Sequence, residues 1–184
     1  MRPHRHTGAV AVEFALVLGI FLFLLFGTLE VARVFYVFNI LQEVTRRAAV
    51  AAAKADFSNA SALQQIRQHA VFRSSPGPMA LAAPLSDQSI VIDYLSISKA
   101  SDGTLSLAPM PALPASPMAR RQACMSDPYG ASCIQFVRVR VCATADSQSC
   151  QPVALTPMAS FLNFAVNLPT AVTIVKADSL GLSD

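Results

Sequence analysis

The chain has 184 residues, room for one modest domain plus an anchor. It is 53% apolar and only 14% charged, with a net charge of +3. Lys and Arg never gather beyond pairs such as Arg46-Arg47 and Arg120-Arg121, which argues against a nucleic-acid surface.

Residues 1–8, MRPHRHTG, are short and basic, with Arg2 and Arg5. An apolar run then covers residues 9–29, broken only by Glu13. A cleavable secretory signal has a shorter apolar core followed by small residues at a cut site. Here the amphipathic EVARVFYVFNILQEVTRR follows instead, so the apolar segment is expected to stay in the mature protein. The uncharged part, residues 14–29, rises about 24 Å as a helix, short of the roughly 30 Å of a bilayer core. Including residues 9–13 closes the gap and brings Glu13 to the hydrocarbon edge. A central acidic residue costs about 3 kcal/mol, and each Leu, Ile, Phe or Val returns about 0.3–0.6, so insertion survives one glutamate. An intramembrane carboxylate points to function; a glutamate that snorkels to the interface is the plain alternative. Arginines flank the run on both sides, so the positive-inside rule does not set orientation.

No proline occurs between residues 4 and 75. Val34, Phe38, Leu41, Val44, Ala48 and Ala52 recur at steps of three or four, one apolar stripe. Arg33, Gln42, Glu43, Arg46, Arg47 and Lys54 fall off it, and Glu43 can pair with Arg46 and Arg47. The pattern predicts one helix over residues 9–55, about 70 Å long. Ser58, Asn59 or Ser61 can cap a second, short helix with Leu63, Ile66 and Ala70 on one face, ended by Pro76-Gly77-Pro78.

QSIVIDYLSIS (88–98) reads as a strand, Asp102-Gly103 as a turn, and residues 108–118 as a proline-rich linker. CIQFVRVRVC (133–142) is the clearest strand, with Val137, Val139 and Val141 on one face and Arg138 and Arg140 on the other. Residues 170–177 form a last strand. The fold class is α+β: a long transmembrane and amphipathic helix, a short helix, and a small, mainly antiparallel sheet. The expected divisions are a leader at 1–8, a span at 9–29, an amphipathic continuation at 30–55 and a head at 56–184.

Cys124, Cys133, Cys142 and Cys150 all follow the apolar run. An even count there suggests disulfides and an oxidising compartment; the spacing does not match common zinc patterns. Cys133 and Cys142 stand at opposite ends of one strand, about 30 Å apart, against a disulfide limit of about 7 Å. Of the two remaining connectivities, the local one is favoured, Cys124 with Cys133 and Cys142 with Cys150. No catalytic constellation emerges: His4-x-His6 offers only two ligands at the terminus, enough for weak metal binding at most, His69 lacks a partner at a telling spacing, and phosphate loops, nucleophile elbows and H-E-x-x-H are absent. No cofactor or metal is implied, and a membrane-anchored enzyme is the least supported class.

The N-terminus resembles the prepilin peptidase site of type IV pilins and pseudopilins: a basic leader, Gly8, then AVAVEF. The stretch from Gly8 through Ala53 is similar to the TadE-like pseudopilins of tight-adherence pilus systems. It has the VEFA core, an acidic residue and then arginine near the end of the apolar run (Glu30 and Arg33), and a small-residue region after Arg47. It departs from them in having Gly19 where that family often has proline. The resemblance implies a minor pseudopilin, since major subunits of this pilus class are very short, with roles in pilus assembly, adherence and secretion. It implies a bacterial inner-membrane protein with one span, a cytoplasmic leader and a periplasmic head, incorporated into a surface pilus or serving its assembly. A prepilin peptidase would cut between Gly8 and Ala9. Glu13, beside Phe14, would then face the new amine of a neighbouring subunit and set the register. Ala11, Ala15 and Gly19 recur at four-residue steps and would allow close helix packing. Expected partners are the peptidase, other pilins and pseudopilins, the inner-membrane assembly platform and membrane lipid, with no nucleic acid. The competing class is a bitopic protein with a non-catalytic periplasmic binding or scaffold domain.

Overall fold

The computed structural model describes residues 7–143, 149–158, 165–177 and 179–181. Most of the expected leader, with Arg2, His4, Arg5 and His6, lies outside them.

Helix α1, Thr7–Ala52, runs unbroken for 46 residues, about 69 Å at 1.5 Å per residue. It ends three residues short of the expected boundary. The Lys54 amide bonds back to Ala51, and the Lys54 and Ala55 carbonyls both accept the Gly181 N–H instead of continuing the helix. Gly181 is suited to this post: its φ is +70, and the Pro117 ring occupies the place a Cβ would take. Helix α2, Ala60–Ala70, is capped by Asn59, whose side chain accepts from the Ser61 and Ala62 amides. It stops before the expected Pro76. Phe72 turns left-handed, with φ 59, and its ring lies 4.4 Å from the Arg47 guanidinium.

A four-stranded antiparallel sheet packs against the upper half of α1. Its strands are β1 (Ile90–Lys99), β2 (Leu105–Pro109), β3 (Phe136–Val141) and β6 (Val172–Lys176), in the order β2-β1-β3-β6. Two-residue strands β4 (Ala154–Leu155) and β5 (Val166–Asn167) pair separately. Period-two alternation gives the sheet its two faces. Ile90, Ile92 and Tyr94 lie opposite Val141, Val139 and Val137. With Val37, Leu41, Val44, Ala48 and Ala52 of α1 they make the core. Alanines at 48, 49 and 52 let the helix come close. Thr45, fully buried, receives a hydrogen bond from Thr173 of β6 at 2.8 Å. On the other face Asp93 accepts from both Arg138 and Arg140 at 2.9–3.0 Å.

Asp102 and Gly103 make the β1–β2 turn, with Gly103 at φ 85. The proline-rich 108–118 is not all linker. Ala108 and Pro109 complete β2, an edge strand, where a missing N–H is tolerated. Ser116 and Pro117 open a further helix, α3 (Pro117–Ser126), with the Ser116 hydroxyl accepting from the Ala119 amide. Arg120 of α3 donates to the Ile134 and Ala177 carbonyls. Two disulfides close local loops, Cys124–Cys133 and Cys142–Cys150, with Cα separations of 4.6 and 5.0 Å. They tie α3 to the entry of β3, and the exit of β3 to the segment before β4.

Tyr94 stacks edge-on against Phe57, ring centres 5.8 Å apart. Its hydroxyl is buried without a hydrogen-bond partner among the described residues, and burial pushes it well above the usual phenol range. A buried unpaired hydroxyl is a cost that phenylalanine avoids. Tyr94→Phe should therefore melt at the same temperature as the parent or higher; a clear fall in Tm would show that the hydroxyl contributes to stability.

Candidate functional site

The lower half of α1 is uncovered by the head. An 18-residue window within the helix has a mean hydropathy of 2.7 and none of it is buried. Phe14, Leu16, Val17 and Ile20 each expose about three-fifths or more of their surface. One apolar helix of this length fits a single-pass membrane protein.

The expected processing and assembly residues all lie on this bare segment. Gly8 and Ala9 sit in its first turn, where the leading amides lack intrahelical acceptors and glycine weakens the helix by roughly 0.5–1 kcal/mol relative to alanine. Glu13 lies one turn beyond Ala9. Among the described residues no basic group pairs with it. Ala11, Ala15 and Gly19 form a narrow stripe, and nothing lies within 4 Å of where a Gly19 Cβ would be. At 100° per residue, Glu13 points about 160° from the middle of that stripe. The carboxylate and the small-residue stripe therefore address different neighbours.

The second cluster stands where the bare helix meets the head. Glu30 and Arg33, one turn apart, are joined at 3.1 Å, with side chains only 7% and 8% exposed. Arg33 Nε donates to the Leu81 carbonyl at 2.5 Å, Nη1 to the Thr156 carbonyl at 2.8 Å, and Nη2 to the Ala83 carbonyl at 3.5 Å. Glu30 Oε1 accepts the Met158 amide at 2.5 Å. One guanidinium and one carboxylate thus clasp two loops, far apart in sequence, onto the helix. The sequence pattern set Arg33 among the off-stripe polar residues; the structure buries it. The usable signal was the Glu30–Arg33 spacing at the end of the apolar run.

Higher on α1, Glu43 accepts from Arg46 and Arg47 at 2.6–3.0 Å. Those hydrogen bonds hold its carboxyl down at about 2. This cluster is largely exposed and reads as a solvated helix face. His69 is exposed on α2. Among the described residues no three His, Cys, Asp or Glu side chains gather to hold a metal.

Residues 8–50 match the family model described as TadE-like protein. The match begins at Gly8 and ends within α1, so it covers the bare helix, Glu30, Arg33 and the lower part of the core stripe, about a quarter of the chain. No curated protein and no solved structure matches the chain.

Removing one partner of a buried ion pair costs about 3–5 kcal/mol, because the other charge stays desolvated. Arg33→Ala should lower stability by about that much, with hydrogen exchange rising first at residues 79–85 and 154–158. Arg33→Lys should recover only part, since an ammonium lacks the planar fork that spans separate carbonyls. Unchanged exchange in both loops would refute the clasp.

Proposed function

We propose that this chain is a minor pseudopilin of the TadE-like type, an assembly component of a tight-adherence pilus. A prepilin peptidase processes it between Gly8 and Ala9. The observation that carries this reading is a single one. The TadE-like match falls on a continuous helix whose lower half is bare and apolar, with Gly8 in the first turn and Glu13 one turn past Ala9. The chain is the substrate of the cut rather than the agent of it.

In this reading the leader stays on the cytoplasmic side and the head stands on the oxidising side, consistent with its two disulfides. The first turn of α1 must open for the scissile bond to enter a protease. Gly8 eases this, having a weak helix preference and no side chain to obstruct the approach. Cutting leaves a positive amine on Ala9 and a carboxylate on Glu13 in a medium of low dielectric, where opposite charges attract far more strongly than in water. Pairing between the amine of one subunit and Glu13 of the next fixes their axial register. The Ala11, Ala15 and Gly19 stripe, pointing elsewhere, serves packing against a different helix. The disulfide-tied head stays outside the stack, its sheet supported by the same rod.

Mass spectrometry of protein from the native host should find Ala9 as the mature N-terminus, and Gly8→Val should accumulate precursor. An intact leader in a working system would favour a bitopic scaffold or binding protein instead.

Glu13→Val should be cut normally yet reduce pilus yield about tenfold or more, because it leaves the amine of a neighbouring subunit buried without a partner, at a cost of about 3–5 kcal/mol. Assembly at the parental level would remove the register argument.

A further inference from the structure

We propose that the underside of the head is a lipid-contact surface. The loops clasped by Glu30 and Arg33 seat Leu81 and Met158 in the interface of the leaflet that the helix exits, and the groove between them and the helix is filled by acyl chains. This rests on the membrane-spanning reading of α1 and adds a second site of membrane contact, from parts of the chain remote in sequence.

The first support is height. From Ala9 to Glu30 the helix rises about 32 Å, against a hydrocarbon core of roughly 30 Å. With Ala9 at one boundary, Glu30 and Arg33 reach the other. Leu81 and Met158 cannot sit far from that plane, because the Leu81 carbonyl and the Met158 amide are hydrogen-bonded to these same two side chains.

Surface chemistry is the second. A groove of about 540 Å³ opens between helix and loops, lined by Phe26, Leu29, Arg33, Tyr36, Leu81 and Met158. Leu81 is 57% exposed and Met158 68% exposed, although both are pinned by backbone hydrogen bonds. Leu81 holds φ 61, a left-handed conformation rare for leucine, so its apolar side chain stands outward on a constrained backbone. Tyr36, at the rim, is the residue type that favours the headgroup level.

Charge distribution is the third. No charged side chain occurs between Arg73 and Asp87, or between Asp146 and Lys176. These two uncharged stretches supply the clasped loops. The groove is continuous with the bare span through Phe26 and Leu29, and the charged side chains in its lining, Glu30 and Arg33, are turned into the clasp and nearly buried, so the apolar surface of the helix extends onto the head. Acyl chains that cover the span reach it without crossing water.

The chain has no tryptophan, so single reporters can be introduced cleanly. Full-length protein carrying Leu81→Trp, Met158→Trp, Phe21→Trp or Leu107→Trp is reconstituted in vesicles of phosphatidylethanolamine and phosphatidylglycerol. The acyl chains are brominated either near the headgroup or near the chain end. Phe21 reports the span. Leu107 pairs with Ile97, beyond the contact of Tyr94 with Phe57 at the far end of the head, and reports that end. At positions 81 and 158, fluorescence should fall about twofold with shallow bromines, as expected for side chains about 5–10 Å within the boundary, while position 107 stays unquenched. Using both 81 and 158 guards against a fold defect at the constrained Leu81 backbone. Quenching at 21 with neither 81 nor 158 quenched more than 107 would overturn the proposal and leave the span intact. Unquenched but blue-shifted emission at 81 and 158 would also overturn it, in favour of a second copy covering the groove. No quenching at 21 would remove the span itself and the proposal with it.

Discussion

The clasp made by Glu30 and Arg33 governs how this molecule is organised. It lies where one helix changes surroundings, from a bare apolar rod to one side of a packed core. The pair is nearly buried and reaches three carbonyls and an amide on two separate loops. A buried ion pair adds less net stability than its contacts suggest, because both charges lose water. Its value here is specificity: the planar guanidinium fits only one arrangement of the Leu81, Ala83 and Thr156 carbonyls. The head is thereby held at one height on the rod, and any axial register among rods becomes a register among heads.

Above the clasp, stability follows ordinary rules for a small α+β unit. A proline-free helix supplies one wall and the inner faces of β1, β3 and β6 supply the other. The core is modest, and two disulfides anchor the two ends of its central strand, β3. Each closes a loop of eight or nine residues beside β3, which limits the unfolded chain on both flanks of the strand that carries Val137, Val139 and Val141 into the core. The outer face carries Asp93, Arg138 and Arg140, so the strand most protected on one side bears a charge-paired surface on the other.

Legibility in the sequence followed the strength of the periodic signal. The long helix, the Val137–Val139–Val141 face, the Asp102-Gly103 turn and the local cysteine pairing were readable because each rests on local spacing or, for the turn, on a residue pair that favours it. Strand β2 and helix α3 were hidden by the proline-rich stretch 108–118, which takes in the end of one and the start of the other. Proline there marks an edge strand and a helix start, positions it tolerates as well as a linker does. Strands β4 and β5, two residues each, are too short to show alternation. Arg33 falls off the apolar stripe, yet loops that arrive from residues 79–85 and 154–158 bury it, and helical periodicity carries no trace of such loops. The resemblance of the first quarter to TadE-like proteins was legible because its signature is local, Gly8 to Glu13 and then Glu30 to Arg33.

Two glutamates, Glu13 and Glu30, mark the ends of the apolar run, about 26 Å apart along the axis, and their situations differ in a way that separates folding from assembly. Glu30 has its cation one turn away and an amide from the head, so its charge is accommodated within the chain. Glu13 has no basic neighbour among the described residues, and the helix around it is bare. A carboxylate at the hydrocarbon edge is an energetic cost that the fold leaves unmet. Folding alone gives no reason for it, since valine at this position would make the helix more apolar and disturb no contact in the head. A cation arriving from outside would supply the reason, and on the proposed reading the cut at Gly8 creates that cation within one turn of the carboxylate on every copy. The same helix therefore carries one acidic residue matched during folding and, on that reading, another left for the next subunit to match.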